Sequence, residues 1–248
     1  MNNYEKLEGM VAATFTPLDE NGDVNLSVID KYADWIASTP IKGIFVCGTT
    51  GEFSSLTIDE RKLILEKWLV SARKRFKVIA HVGSNCQRSA MELARHAAQV
   101  GADAIASIAP SFFKPGTVDE LVDFFAPICH SAAGLPFYYY NMPSITGVNL
   151  PVDKFLVEGK KKIPNLVGTK FTHNNLMEMG VCIELEQHRF EVLHGYDEIL
   201  ISGLAMGAVA GVGSTYNYIP NVYQAIFDSM KMNDLETARH NTYRGGYY

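Results

Sequence analysis

Eight short, nearly continuous apolar runs punctuate the chain, and longer stretches with apolar residues three and four apart lie between them. The runs are GMVAATFT (9–16), GIFVCG (43–48), KVIAHVG (77–83), DAIASIA (103–109), PFYYYN (136–141), NLVGTK (165–170), FEVLHG (190–195) and GAVAGVGS (207–214). Runs of this kind, continuous rather than alternating, suit strands buried on both faces of a parallel sheet. The stretch TIDERKLILEKWLVSARKR opens with Thr57 and has Glu60 three residues on, which predicts a capping box at a helix start. CQRSAMELARHAAQVGA predicts a helix ending near Gly101. TVDELVDFFAPICHSAAG predicts a helix running to about Gly134, bent or interrupted at Pro127. NNLMEMGVCIELEQH and EILISGLAMG read as two more.

Strand and helix alternating eight times with short connections predict an α/β fold, a (β/α)₈ or TIM barrel. The expected organisation is one domain over 1–248, with the barrel at about 7–230. An open doubly wound sheet is the structural alternative, because βαβ alternation alone does not exclude it. No glycine-rich dinucleotide fingerprint follows the first run, which removes the commonest function of that fold.

Composition narrows the function classes. With 248 residues, 47% hydrophobic and net charge −5, the chain reads as globular and mildly acidic. Its densest basic segments, KRFK and GKKKIP, read as solvated helix ends or loops, so nucleic acid is not an expected partner. No apolar run reaches 18 residues and the start MNNYEKLEGM lacks a signal-peptide core, so neither membrane association nor secretion is expected. Cys47, Cys86, Cys129 and Cys182 are scattered without CxxC spacing, which fits reduced cytoplasmic thiols rather than a zinc site or disulfide framework. Metal ligation is not expected: the one acidic pair, Asp197 and Glu198, has no histidine cluster beside it, and His173 and His194 read as local hydrogen-bonding residues.

A barrel places chemistry where its strands end. Lys170 stands at the end of the sixth run. An arbitrary lysine is usually solvated, but an amine in a partly apolar cleft loses its charged form more readily and can attack a ketone to give a Schiff base. In FYYYN, alternation sends Tyr138 and Tyr140 to one face and Tyr139 to the other, so Tyr139 is expected to pack and Tyr140 to be available for proton transfer. GTTGE has Thr49 and Thr50 in a glycine-flanked turn, which is either an ordinary turn or a carboxylate cradle of hydroxyls and backbone N–H groups. Asp197 and Glu198 in HGYDE could serve as acid–base groups or as acceptors for sugar hydroxyls. The glycines of GVGSTYN permit close backbone approach to a ligand, and Ser214 adds a hydroxyl.

The order and spacing of GTTGE, YNMPSITG, GTKFT and HGYDEI, from about residue 7 to about residue 240, resemble the pyruvate-dependent class I aldolase superfamily of N-acetylneuraminate lyases and dihydrodipicolinate synthases. In the synthases an arginine follows the tyrosine motif and holds the second substrate's carboxylate. Ile145 occupies that position here, whereas FYYYNMP, HGYDE and GVGSTYN are similar to the lyases. The resemblance implies Lys170 as the Schiff-base residue and Tyr140 as the proton-transfer residue. Thr49 and Thr50 would hold the pyruvate carboxylate, while Thr172, Gly195, Asp197, Glu198, Gly213 and Ser214 would line the sugar site. It further implies reversible cleavage of N-acetylneuraminate to N-acetylmannosamine and pyruvate, no metal or organic cofactor, and a homotetramer. Rival readings are an aldolase acting on another 2-keto-3-deoxy sugar acid, a non-catalytic sugar-acid-binding barrel, and a structural barrel with Lys170 at its surface.

Two departures from the pattern stand out. IAPSFFKPG has Phe112 and Phe113 where many relatives place a tyrosine that reaches a neighbouring subunit. Relatives also continue into a helical C-terminal extension, so this chain is expected to lack most of it and to end in an atypical tail over 231–248 that weakens assembly.

Overall fold

The structure, a computed structural model, describes residues 5–132 and 134–246. Its strands are β1 (Gly9–Ala13), β2 (Gly43–Val46), β3 (Lys77–His81), β4 (Ala104–Ile108), β5 (Phe137–Asn141), β6 (Leu166–Phe171), β7 (Glu191–His194) and β8 (Ala210–Gly213). They follow sequence order around a closed barrel, the TIM-barrel arrangement expected. Almost every strand residue is buried, as parallel strands covered on both faces require.

The α-helices are α1 (Ile29–Ala37), α2 (Ile58–Ala72), α3 (Gln87–Val100), α4 (Val118–Ser131), α5 (Pro143–Thr146), α6 (Val152–Lys162), α7 (Leu176–Glu184), α8 (Leu200–Ala205), α9 (Pro220–Lys231) and α10 (Leu235–Gly246). The capping box forms as its spacing predicts: Thr57 Oγ1 accepts from Glu60 N, and Glu60 accepts from Thr57 N. Gly101 caps α3 with φ +86°, a conformation glycine adopts without a Cβ penalty.

Of the two outcomes expected at Pro127, interruption does not occur: α4 runs through it as one helix. Proline removes only the amide that would have bonded Asp123, and that residue is exposed, where water can serve its carbonyl. The tail is helical almost to its end. α9 and α10 carry helix to Gly246, and only 247–248 lie outside the described residues. Ala238 buries itself completely, and Tyr223 Oη donates to Gly245 O at 3.3 Å.

The chain groups into two compact units. The first is built on Ile79–Leu193. Here β4, β5 and β6 pair in parallel, with Tyr140 opposite Lys170. Tyr139 faces outward, 4.6 Å from Phe155 of α6 and 5.5 Å from Phe125 of α4 between ring centroids, the packing role that alternation assigns it. Tyr138 faces the other way and donates to the buried carboxylate of Glu191 at 2.8 Å. Gly168, opposite Tyr138, cannot be anything larger: a Cβ there would lie 2.0 Å from the Glu191 carbonyl oxygen.

The second unit comprises Leu7–Val78 and the chain from His194 onward. In it β1 pairs in parallel with both β2 and β8. Trp68 of α2 is fully buried and meets Tyr32 of α1 edge-on at 5.0 Å. Asp30 ties α1 to α2 by accepting from Lys67 Nζ and Ser71 Oγ, each at 2.6 Å.

Candidate active site

The first unit holds Lys170 and Tyr140, the candidate reactive groups. Lys170 is not the frayed end of its strand. It lies within β6, only 4% exposed, and its Nζ sits 3.9 Å from the centroid of the Tyr140 ring. The pairing of β5 with β6 sets this contact by placing the two residues directly across from each other. The Tyr140 hydroxyl donates to Met142 Sδ at 3.1 Å, and a thioether is a weak acceptor that a substrate oxygen can readily replace. On the other side, His81 of β3 meets the Tyr140 ring edge-on at 5.8 Å. Ile108 N donates to His81 Nε2 at 3.3 Å, which fixes the acceptor nitrogen and leaves Nδ1 to carry any ring proton.

Thr172 follows β6 and donates its N–H to Asn141 O at 2.9 Å. Its Oγ1 is buried and bonds to no described residue. A buried hydroxyl without a partner is costly, so a site that retains one is suited to a ligand that supplies the bond.

The second unit holds Thr49, Thr50, Asp197, Glu198 and Ser214, the candidate anion- and hydroxyl-binding residues. Thr49 and Thr50 lie half-buried in the turn after β2. Two left-handed residues bracket them, Cys47 at φ 54° and Glu52 at φ 56°. Thr16 Oγ1 donates to Gly51 O at 2.7 Å and holds the turn from beneath. Glu52, exposed, serves the turn itself: its N–H donates to Thr49 O at 3.0 Å.

After β7, Gly195 is half-buried, and Asp197 and Glu198 open a short 3₁₀ turn. The two carboxylates have different roles. Asp197 is buried and accepts from Thr215 N at 2.8 Å and from Thr215 Oγ1 at 2.5 Å, joining the segment after β7 to the segment after β8. Gly213 makes this possible, because a Cβ there would stand 2.6 Å from Asp197 Oδ2. Glu198 lies at the surface. Partial desolvation of its carboxyl, together with the bond and charge of Asp197, pushes its pKa above the usual carboxylate range. Ser214 is half-buried at the start of the next 3₁₀ turn, and its carbonyl accepts from Asn217 Nδ2 at 2.8 Å. His194 is a fully buried packing residue, and burial lowers its pKa.

The family model described as "Dihydrodipicolinate synthetase family" matches residues 6–244. The chain belongs to that family. Among its relatives, the N-acetylneuraminate lyase of Mus musculus is 43% identical over 243 residues, covering 97% of this chain and 76% of that one. The solved N-acetylneuraminate lyase (sialic acid aldolase) of Aliivibrio salmonicida superposes with a TM-score of 0.94 at 39% identity, covering 96% of this chain and 79% of that one. The Proteus mirabilis N-acetylneuraminate lyase gives 0.93 at 36%, covering 96% and 80%.

Ile145, on α5, is 55% exposed and presents no cation beside the tyrosine strand. Phe112 and Phe113 are 77% and 87% exposed and meet edge-on at 5.0 Å, so this loop offers hydrophobic surface and no phenol. Among the described residues no cluster of His, Cys, Asp and Glu is arranged to hold a metal ion. Nor is any described helix long and apolar enough to cross a membrane.

Sequence reasoning missed His81, Thr215 and Asn217. His81 carried one signal, a histidine inside an otherwise apolar strand. Thr215 and Asn217 stood in a motif already singled out, but their roles come from long-range partners. Asn217 Nδ2 donates to Ala13 O at 2.7 Å and its Oδ1 accepts from Tyr32 Oη at 2.5 Å.

Proposed function

We propose that this chain is an N-acetylneuraminate lyase, a class I aldolase that reversibly cleaves N-acetylneuraminate to N-acetylmannosamine and pyruvate through a Schiff base on Lys170. The observation that carries the reading is the buried Lys170 amine stacked 3.9 Å over the ring of Tyr140 on the adjacent strand. The identity to N-acetylneuraminate lyases over nearly the whole chain supports the choice of substrate.

The amine adds to the C2 ketone of the open-chain sugar acid, and loss of water from the carbinolamine gives an iminium. Tyr140 moves the protons of that addition and takes the proton of the C4 hydroxyl. The C3–C4 bond then breaks, with its electrons flowing into the iminium to leave an enamine on Lys170 and an aldehyde on N-acetylmannosamine. Protonation at C3 and hydrolysis release pyruvate and restore the amine. Thr49 and Thr50 hold the pyruvate carboxylate. Thr172, Gly195, Asp197, Glu198, Gly213 and Ser214 line the path of the sugar chain, with Asp197 fixing the backbone that Gly213 and Thr215 share. The protein-derived iminium serves as the electron sink, so the reaction as proposed uses neither metal nor organic cofactor. The working form is a homotetramer in the cytoplasm.

Incubation with pyruvate and borohydride tests the chemistry. A mass increase localised to Lys170, lost in Lys170→Ala, is expected, and its absence would refute the aldolase assignment. If the adduct forms but N-acetylneuraminate is not cleaved, the chemistry stands and the substrate assignment falls.

A further inference from the structure

We propose that Arg61 is a positioning residue for the carboxylate-binding turn, its guanidinium clamping both ends of the segment that presents Thr49 and Thr50. This rests on the lyase reading above, which assigns that turn to pyruvate.

Arg61 lies in the first turn of α2, where its N–H donates to Thr57 O at 3.1 Å, and the capping box holds that helix start in place. Its side chain does not reach solvent, as arginine usually does; the residue is only 4% exposed. The guanidinium carbon stands 5.4 Å from the centroid of the Phe53 ring, the residue just after the turn. The guanidinium's charge, with a side-chain interaction, also acts on the thiol of Cys47, the residue just before the turn, and lowers the thiol pKa against the effect of burial. Thr49 and Thr50 thus hang between two anchors that share one rigid planar group.

The turn needs such an anchor. Cys47 sits at φ 54°, a conformation costly for a residue with a side chain and held only when its surroundings over-determine it. Gly51 packs against it so closely that a Cβ there would lie 3.2 Å from Cys47 Cα and 3.0 Å from Thr14 O. The Cys47 thiol, buried and pushed up to about 11, stays neutral and acts as a fixed contact rather than a nucleophile. A buried cation is expensive to keep, so a fold that places one here gains something apolar packing would not supply.

The test is the pyruvate dependence of borohydride trapping on Lys170, measured in the wild type, Arg61→Met, Arg61→Lys and Phe53→Leu. Arg61→Met keeps the volume and loses the fork; Arg61→Lys keeps the charge and loses the fork. Phe53 is only half-buried, so Phe53→Leu removes one anchor with little threat to folding. In both Arg61 variants half-saturating pyruvate should rise on the order of 10- to 100-fold, the scale on which small misplacements of binding groups act. Phe53→Leu should show a smaller rise. The adduct formed at saturating pyruvate should match the wild type, because Lys170 and Tyr140 belong to other strands. A purely structural Arg61 would lower the melting temperature and leave half-saturation where it was, which would overturn the proposal. Wild-type half-saturation in Arg61→Lys would also overturn the clamp by showing that charge alone suffices. If Arg61→Met does not fold, unaltered half-saturation in Phe53→Leu overturns it independently. A wild-type chain that gives no adduct at any pyruvate concentration would instead refute the lyase reading, and the clamp with it.

Discussion

Thr172 offers a measurement in which stability and function should move in opposite directions. Its N–H is satisfied by Asn141 O at 2.9 Å, so the backbone at this position is held whatever the side chain does. Its Oγ1 is buried without a protein partner among the described residues, and the residue is 3% exposed. Leaving a hydroxyl in that condition costs about 1–3 kcal/mol. Valine has the same shape and no hydroxyl. Thr172→Val should therefore stabilise the ligand-free protein by about 1 kcal/mol. That corresponds to a rise of about 2–4 °C in Tm for a chain of this size.

The same hydroxyl is assigned to the sugar chain, where a neutral hydrogen bond is worth about 0.5–1.5 kcal/mol. Its loss should lower kcat/KM for N-acetylneuraminate about 2- to 10-fold, while pyruvate trapping on Lys170 keeps its half-saturation. Melting followed by circular dichroism and a coupled assay for released pyruvate read the two effects. A variant destabilised by 1 kcal/mol or more would mean that Oγ1 has a partner in the folded chain. A stabilised variant with unaltered kcat/KM would take Thr172 out of the substrate site.

Tyr140→Phe should lower turnover by about 10²- to 10⁴-fold while changing pyruvate half-saturation little; unchanged turnover would refute the proton-transfer role. Gly213→Ala would put a Cβ 2.6 Å from Asp197 Oδ2, forcing that carboxylate off Thr215. It should cost about 1–3 kcal/mol in urea unfolding and raise KM for the sugar acid, and wild-type stability would contradict the packing argument. His194 carries a pH dependence. Burial depresses its pKa, so in the folded state it stays neutral where the unfolded chain already takes a proton. Its contribution to stability is complete above the ordinary histidine value of about 6.5 and is lost as pH falls from there through the folded value. The urea midpoint should fall over that window, and His194→Gln should flatten the fall; parallel pH profiles would exclude His194 as the cause.

Much of the architecture was legible because burial on both faces leaves a plain mark. All eight runs are strands, each within a few residues of its expected bounds. Capping was legible for the same reason: Thr57 and Glu60, and Gly101, act through partners within four residues in sequence. The tail shows the limit of local reading. The tail over 231–248 read as atypical, yet α10 is held as helix by contacts to α9 such as Tyr223 with Gly245. Pro127 does not interrupt α4, because the cost of an unserved carbonyl depends on its access to water, and local pattern does not report that.

By itself, the sequence determined the strand count, a parallel α/β arrangement, and the residue types at each strand end, including an amine, a phenol and a pair of threonines; closure of the sheet into a barrel is a tertiary fact. Those properties follow from periodicity and chain order, which short-range sterics and hydrophobic burial translate directly into structure. Only the tertiary structure decided what those residues touch. It placed Lys170 over Tyr140 by strand register, left Thr172 Oγ1 without a partner among the described residues, and turned Asp197 into the brace for Thr215 while leaving Glu198 at the surface. It also brought Arg61 of α2 to both ends of the turn after β2. Each of these depends on where separate segments come to rest against one another, and a side chain's type does not carry the identity of its distant neighbour.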